Sequence, residues 1–243
     1  MKLNHITVVG VGLIGGSFAL AARRAGLASR ITGWDLDQQN LKRAVDSGII
    51  DAAEPGPPVD GLGKTGFTWE ADLVFLAAPV GAILHFLESK PSVLKPGSLV
   101  TDAGSTKRVI CSAAEALPGG VTFVGGHPMA GSHEVGLEFA RADLFNGAPY
   151  AVVPTERSSE DGIRTIQELA LAIGAHPVVM DAAEHDRAVA LVSHAPQLVS
   201  SALALAVLKN GGAKAATVAG PGFSSSIRLA ASRWSVWEDI CRT

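Results

Sequence analysis

Three glycines near the start of the chain have the spacing of a loop that binds phosphate groups. Gly10, Gly12 and Gly15 follow a short apolar run and precede an Ala-rich stretch, as GxGxxG does between the first strand and first helix of a nucleotide-binding unit. The N–H groups at the start of such a helix are unpaired and attract phosphate oxygens. The candidate phosphate-binding residues are therefore Gly10, Gly12, Leu13, Ile14 and Gly15.

Asp35 ends the next apolar run, twenty residues after Gly15. A carboxylate at this distance can accept hydrogen bonds from the hydroxyls of an adenosine ribose, and its charge repels a 2′-phosphate. The sequence therefore predicts NAD, rather than NADP, as a cofactor. The apolar run from Lys2 to Ala22 also resembles a secretory signal, but such a signal would not carry spaced glycines or continue into a second strand.

Small and polar residues follow three later apolar runs. Because ligands bind beyond the carboxyl ends of the strands in an open α/β sheet, we expect these residues to lie near the cofactor. Ala78 and Pro79 would let a ribose or nicotinamide approach the backbone, and Gly104 and Ser105 follow the next run. Ser105 has two candidate roles: it can cap the following helix, or it can donate to a substrate or to a catalytic base. His127 lies in a glycine-rich loop, and imidazole is the usual group for proton transfer near neutral pH, so we expect it to be catalytic.

The composition of the chain excludes several classes of protein. The 243 residues include 47% hydrophobic residues and carry a formal net charge of −3. The chain has no long Lys/Arg cluster, so nucleic-acid binding is not expected. Cys111 and Cys241 are far apart, which suggests neither a metal site nor a disulfide and favours a reducing cytoplasm. We also expect no membrane span, because we find no segment of eighteen or more consecutive strongly apolar residues.

Strand-like and helix-like stretches alternate over the first three-quarters of the chain. This order predicts an α/β, Rossmann-like fold with a mostly parallel sheet and helices on both faces. The stretch from Pro55 to Gly66 is rich in glycine and proline and is predicted to be a surface loop. The predicted strands are Ile6–Val9, Ile31–Trp34, Leu73–Leu76, Leu99–Thr101, Val121–Val124, Tyr150–Val153 and Pro177–Met180. The predicted helices lie near Gly15–Ala25, Gln38–Ser47, Val80–Leu87, Lys107–Ala116 and Glu160–Ile173.

The pattern changes near residue 181 to an Ala/Leu/Val-rich stretch without strand alternation. We place a domain boundary there, with an NAD-binding domain over 1–181 and a smaller all-helical domain over 182–243. Asp181 has the position of a helix N-cap, Pro196 should kink or divide the helix, and Asn210–Gly212 should end it. About sixty residues are few for an independent core, so we expect this domain to pack on a second copy of the chain.

Five segments give the chain a family resemblance. GVGLIGGS, DAGSTK, GGHPMAGS, SHAPQ and RLAASRWSVWEDI resemble segments of the prephenate/arogenate dehydrogenase family of tyrosine biosynthesis. The resemblance covers nearly the whole chain, and HPMAG is its most specific part. It implies NAD-dependent oxidative decarboxylation of prephenate to 4-hydroxyphenylpyruvate, or of arogenate to tyrosine, by a homodimer that is joined through the helical domain. The sequence does not distinguish these two substrates, which differ in a keto group and an amine.

The resemblance also assigns roles to individual residues. The catalytic histidine of the family falls on His127, and its assisting serine falls on Ser105. Ser132 is implied to contact the substrate, as is the helical-domain histidine at His194. Arg228 takes the place of the substrate-binding arginine, whose planar fork suits a carboxylate.

Simpler interpretations exist for the residues of the helical domain. His194 shares a helical face with Leu191 and Leu198, so it could be a core histidine. Arg228 could pair with a surface acid. Trp237 is expected to serve packing or an interface rather than the substrate.

The chain departs from the family pattern at several points. Gln197 stands where the family usually has a second histidine, and Ser224–Ser226 stand where an Arg/Asp couple precedes the arginine. The chain also ends soon after Trp237, whereas the family's helical domain usually continues. We therefore expect effects on substrate affinity and dimer stability. Two alternatives stay open: another NAD-linked dehydrogenase on this scaffold, or a non-catalytic NAD-binding protein.

Overall fold

The computed structural model describes residues 3–55, 68–89, 91–131 and 134–242. Its strands form one eight-stranded sheet in the order β3-β2-β1-β4-β5-β6-β7-β8. Every pairing is parallel except that of β6 with β7. The predicted Rossmann-like fold class is therefore confirmed. The strands are β1 (Leu3–Val9), β2 (Ala28–Trp34), β3 (Ala52–Ala53), β4 (Leu73–Leu76), β5 (Leu99–Asp102), β6 (Thr122–Pro128), β7 (Pro149–Val153) and β8 (His176–Val179).

Ten α-helices connect or follow these strands in the described ranges. They are α1 (Leu13–Arg24), α2 (Gln38–Asp46), α3 (Val80–Ser89), α4 (Arg108–Ala114), α5 (Glu160–Ala172), α6 (Ala182–Val189), α7 (Ala195–Asn210), α8 (Gly212–Thr217), α9 (Pro221–Ser226) and α10 (Trp234–Arg242). The predicted surface loop lies outside the described residues, apart from Pro55. The two-residue strand β3 was not predicted, because a strand of that length has no readable periodicity.

The core lies on both faces of the sheet. All four residues of β4 are buried, as expected for a central parallel strand with helices on both sides. On one face Phe18 of α1 stacks on Phe75 of β4, with ring centroids 3.9 Å apart. The apolar N-terminal run is thus part of the core and not a signal segment. On the other face a second cluster joins α3 and α4 to the sheet.

The strand β6 is longer than predicted. Its predicted end was Val124, with His127 in the loop that follows, but β6 continues to Pro128. The reason is the antiparallel partner β7, which pairs His127 with Ala151. The imidazole therefore projects from a hydrogen-bonded strand, and the placement of His127 in a loop was wrong.

The residues after the sheet are helical in every described element. The Asp181 side chain accepts a hydrogen bond from Glu184 N at 2.7 Å, so the predicted N-cap is present. The predicted division of the helix is present as a π-helical turn, Ala190–His194, which ends two residues before Pro196. The helix α7 then ends at Asn210, and Gly211 caps it. The division into residues 1–181 and 182–243 stays a prediction.

One helical run has the length and composition of a membrane span. It extends from Ala182 to Asn210, and 11% of its most apolar window is buried. We expected no such segment, but Ala, Leu and Val dominate the run between Arg187 and Lys209. A single run of this kind is weak evidence for a membrane protein, because the core helix of a soluble protein or a signal sequence meets the same criterion.

Candidate active site

The glycine loop joins β1 to α1 and leaves open space on one side. Gly10 has a φ of +86°, and a Cβ atom there would lie 2.5 Å from the Ala77 carbonyl oxygen. A Cβ on Gly15 would overlap the Gly10 carbonyl oxygen, so the helix can approach the loop only with glycine at this position. A Cβ on Gly12 would have nothing within 4 Å. The loop is therefore tightly packed at Gly10 and Gly15 and has free space beside Gly12, where α1 begins without a side-chain cap.

The first residues of α1 complete this loop. Leu13 and Ile14 are half-buried and stand at the start of the helix, where N–H groups lack helical partners. No acidic side chain lies in the first turn of α1. The end of the helix can therefore accept a phosphate group without repulsion.

Asp35 lies beside the same loop, directly after β2. Its Oδ2 accepts from Val11 N at 2.8 Å, and its Oδ1 accepts from Asp37 N at 3.0 Å. Asn40 Nδ2 makes a longer contact of 3.4 Å with Oδ2. A carboxylate oxygen can accept about two hydrogen bonds, so Oδ1 keeps capacity for a ligand hydroxyl.

The other predicted cofactor residues lie at the same edge of the sheet. The backbone of Ala77 and Ala78 faces Gly10, and Pro79 is exposed. Gly104 is buried, and a Cβ there would lie 2.9 Å from Asp102 Oδ2. A side chain at 104 would thus force Ile110 and Asp102 to shift, whatever the role of this position towards a ligand.

Ser105 does not cap α4, so the first of its two candidate roles is absent. The helix begins at Arg108, and the residue at the cap position is Lys107. The N–H groups of Lys107 and Arg108 instead donate to the Asp186 carboxylate, at 2.7 and 3.0 Å. An acid from α6 therefore takes the place of a local cap. The half-buried Ser105 has no side-chain hydrogen bond within the described part of the chain, which leaves its hydroxyl available to a ligand.

A buried ion pair fixes the ends of β5 and β6. The side chains of Lys107 and Asp102 are both fully buried and hydrogen-bonded to each other. Lys107 Nζ also donates to Gly126 O at 2.8 Å, and Gly126 N donates to Asp102 Oδ1 at 3.0 Å. Because Gly126 precedes His127, this pair sets the position of the imidazole.

His127 is 8% exposed and hydrogen-bonded to a second histidine. Its Nδ1 lies 2.8 Å from Nε2 of His185, whose Nδ1 lies 2.8 Å from Asp186 Oδ1. Burial, followed by the charges of Lys107, His185 and His194, holds the pKa of His127 well below its ordinary value, and Asp186 only partly opposes this. The imidazole is therefore neutral at pH 7, as a general base requires.

His194 lies close enough to His127 to affect its pKa and also contacts Trp237. The two rings meet edge-on, with centroids 5.8 Å apart and an interplanar angle of 87°. Burial lowers the pKa of His194, partly opposed by Asp186. Leu191 and Leu198 are 74% and 52% exposed, so the core interpretation of His194 is not supported.

Arg228 opens a 3₁₀ turn, Arg228–Ala231, that is docked on α7. Gln197 Nε2 donates to Leu229 O at 2.9 Å, and Ala230 N donates to Ser200 Oγ at 3.2 Å. The Arg228 side chain is exposed and has no ion pair among the residues that the structure describes. The expected alternative, a surface ion pair, is thus absent there. The predicted substrate residue Ser132 lies outside the described residues.

Sequence reasoning missed the residues behind His127. It did not single out His185 or Asp186, and it treated Lys107 only as part of a loop motif. One signal was present in the sequence: His185 lies four residues before Val189, so the two share one face of a helix. The structure buries both, and a histidine thus occupies a core-facing position. A polar residue at such a position needs a partner.

Models of one family match the chain in two parts. "Prephenate dehydrogenase, nucleotide-binding domain" matches residues 18–179, and "Prephenate dehydrogenase, dimerization domain" matches residues 181–243. The prephenate dehydrogenase of Bacillus subtilis (strain 168) is 34% identical over 98% of this chain and 63% of its own length. That of Lactococcus lactis subsp. cremoris (strain MG1363) is 38% identical over 83% of this chain and 53% of its own length. The chain thus spans less than two-thirds of these relatives.

Solved structures of the same kind share the fold. A crystal structure of prephenate dehydrogenase from A. aeolicus, in complex with hydroxyphenyl propionate and NAD+, is 28% identical, with a TM-score of 0.88. The match covers 99% of this chain and 82% of the A. aeolicus chain. A crystal structure of Synechocystis arogenate dehydrogenase is 33% identical, with a TM-score of 0.77, over 98% of this chain and 84% of the other.

Proposed function

The chain belongs to the prephenate dehydrogenase family, and from this premise we propose that it catalyses NAD-dependent oxidative decarboxylation of prephenate, of arogenate or of both. The observation that carries the proposal is the position of His127. It is a buried, neutral imidazole on β6, and β6 runs parallel to β1, β4 and β5, so their carboxyl ends share the edge that also holds the glycine loop.

The residues at this edge fit NAD. Open space at Gly12 and the uncapped start of α1 suit a pyrophosphate, and Oδ1 of Asp35 suits a ribose hydroxyl. Leu13, Ile14, Ala78, Pro79 and Gly104 complete the proposed cofactor site. When bound, NAD supplies the hydride acceptor that the reaction needs.

The side chains of the protein account for the remaining chemistry. His127 takes the proton of the ring hydroxyl as the carbon that bears it loses hydride and becomes a carbonyl carbon. The ring carboxylate then leaves as CO2, and its bonding electrons enter the ring and make it aromatic. The carbonyl oxygen becomes a phenolate oxygen, which regains its proton from the His127 imidazolium. Ser105 orients the hydroxyl and the imidazole, and His194 and Ser132 contact the substrate. The guanidinium of Arg228, which is exposed and has no ion pair with any described residue, binds a substrate carboxylate.

Steady-state kinetics test this proposal. We expect NADH formation with prephenate or arogenate and none with a simple 2-hydroxy acid, and the two kcat/KM values give the preferred substrate. His127→Asn should lose about a hundred- to ten-thousandfold in turnover, because a general base contributes that much. NAD binding, measured by calorimetry, should stay within about twofold of the unmodified chain, or roughly 0.4 kcal/mol. An absence of NADH with both substrates would refute the function, and an active His127→Asn variant would refute the role of the histidine.

We also propose that the protein is a cytoplasmic homodimer, joined through residues 182–243. The support is an apolar surface: Leu191, Val192 and Leu208 are 74%, 71% and 73% exposed. A groove of about 370 Å³ lies beside Leu208 and contains Trp237. Leu208→Glu should shift the mass measured by light scattering from dimer to monomer. A mass of one chain for the unmodified protein would contradict this proposal.

A further inference from the structure

A chain of hydrogen bonds links His127 to two residues of α6. Nδ1 of His127 contacts Nε2 of His185 at 2.8 Å, and Nδ1 of His185 contacts Oδ1 of Asp186 at 2.8 Å. His185 is 1% exposed, so water does not replace either contact. The N–H groups of Lys107 and Arg108 hold the other end of the chain, because both donate to the Asp186 carboxylate.

The chemistry of these groups fixes the position of each proton. Burial acts to raise the pKa of Asp186, but the hydrogen bonds from His185, Arg108 and Lys107 lower it below its ordinary value. Asp186 is thus an ionised carboxylate, which can only accept. Nδ1 of His185 must therefore carry a proton, and in a neutral imidazole Nε2 is then an acceptor. The proton in the contact between the two rings must come from Nδ1 of His127.

The opposite arrangement is less favourable. It would place the His127 proton on Nε2, and both nitrogens of His185 would then need protons. That would make His185, which is 1% exposed, a buried imidazolium in the cluster that already contains the Lys107 ammonium and the Asp102 and Asp186 carboxylates. Desolvating an imidazolium costs more than its contact with Asp186 returns, because that carboxylate already accepts from the N–H groups of Lys107 and Arg108. His194, which also faces this cluster, would be a further potential cation.

We propose that His185 and Asp186 are positioning residues, which hold His127 as the Nδ1–H tautomer and leave its Nε2 as the atom that accepts a proton. The kinetic part of this inference rests on the proposed function, and the tautomer itself does not. After proton transfer His127 is an imidazolium, and its Nδ1–H continues to donate to His185. The same contact therefore orients the neutral base and stabilises its charged form, as an acid does behind the histidine of a catalytic triad.

Two substitutions of His185 separate its two nitrogens. In His185→Gln the amide oxygen can occupy the place of Nε2 and accept from His127, so the tautomer should be retained. In His185→Asn the shorter amide can reach Asp186 but not His127. Thermal unfolding of both variants, compared with the unmodified chain, checks that each is folded.

The tautomer can be measured directly by NMR on the full chain labelled with ¹⁵N-histidine, because long-range ¹H–¹⁵N correlations distinguish Nδ1–H from Nε2–H. The signal that disappears in His127→Gln assigns His127. We expect the Nδ1–H form in the unmodified chain and in His185→Gln, and a shift towards Nε2–H in His185→Asn and in Asp186→Asn. Nε2–H in the unmodified chain, or an unchanged tautomer in His185→Asn, would overturn the inference.

Steady-state kinetics give a second test of the inference, and unlike the NMR measurement this test depends on the proposed function. His185→Asn should lose about a hundredfold in kcat with little change in KM, because a misplaced proton disables the base, while His185→Gln should retain most of the rate. Equal rates for the two variants would overturn the positioning role. An unmodified chain that is inactive towards both substrates but shows Nδ1–H at His127 would refute the proposed function and leave the tautomer assignment standing.

Discussion

Acidification below about pH 6.5 should destabilise the folded chain through His127. Burial and the charges of Lys107, His185 and His194 keep the pKa of His127 well below 6.5 in the folded state. In the unfolded chain the imidazole is hydrated and titrates near about 6.5. Below that pH the unfolded state binds a proton that the folded state does not, so the stability from neutral His127 is complete above about pH 6.5 and is lost as the pH falls towards the folded-state pKa.

The size of this effect follows from the burial of one group. A single histidine that stays neutral while its unfolded form is protonated lowers the free energy of unfolding by at most about 1.4 kcal/mol per pH unit. His127, which is 8% exposed, should come near this limit. His194 is half-buried, so its lowered pKa should contribute less.

Urea unfolding at several pH values between about 7.5 and 5 measures this slope. The lower bound avoids the carboxyl groups of Asp51, Glu54, Asp72 and Asp186, whose pKa values are lowered from ordinary values of 3.8 to 4.5. His127→Gln removes the buried imidazole, and its free energy of unfolding should vary less with pH than that of the unmodified chain. Equal slopes for the two proteins would refute the assignment of His127 as a buried neutral base.

Three further predictions concern other parts of the site. We expect the unmodified chain to prefer NAD over NADP by at least about tenfold in kcat/KM, or 1.4 kcal/mol, and Asp35→Ser should reduce this preference. Equal use of both cofactors by the unmodified chain would contradict the role of Asp35. Arg228→Ala should raise KM about ten- to 150-fold. Arg228→Lys should recover only part of the lost affinity, because an ammonium lacks the planar fork of the guanidinium. A micromolar KM that Arg228→Ala leaves unchanged would exclude the carboxylate role. Lys107→Met should lower the free energy of unfolding by about 3–5 kcal/mol, since it leaves the Asp102 carboxylate buried without a cation. In a double-mutant cycle, adding Asp102→Asn should restore part of this loss. Strictly additive losses would contradict the pairing of Lys107 with Asp102.

The sequence predicts the glycine loop and its acid well because their constraints are local. Gly10 is required by its φ of +86° and Gly15 by its approach to the Gly10 carbonyl oxygen, both within the first strand–turn–helix unit, and Asp35 directly follows the next strand. The alternation of short apolar runs and helical stretches likewise predicts the sheet, since each crossover lies within a short segment. Where a distant partner decides the structure, the prediction fails. The length of β6 depends on β7, which lies more than twenty residues further along the chain.

The hydrogen bonds behind His127 could not be predicted for the same reason. His127 and His185 are 58 residues apart, and Lys107 and Asp186 are 79 residues apart. Nothing in either local sequence requires these partners. The replacement of Ser105 by Asp186 as the cap of α4 shows how a tertiary contact overrides a local preference.

The departures from the family pattern act on the backbone at Arg228 and on its side chain in different ways. Two of the hydroxyls that stand in place of the Arg/Asp couple donate to main-chain carbonyl oxygens four residues earlier and do not hold Arg228: Ser226 Oγ to Gly222 O at 2.9 Å and Ser224 Oγ to Gly220 O at 3.5 Å. Gln197, in place of a histidine, instead donates to the carbonyl of Leu229, and the main chain beside Arg228 is thereby fixed to α7. The guanidinium then starts from a defined Cα position but keeps its rotamer freedom, which costs about 2 kcal/mol to lose on binding. For the proposed contact of Arg228 with a substrate carboxylate, this cost falls on substrate affinity and not on the chemical step, so we expect the consequence of the missing couple in KM.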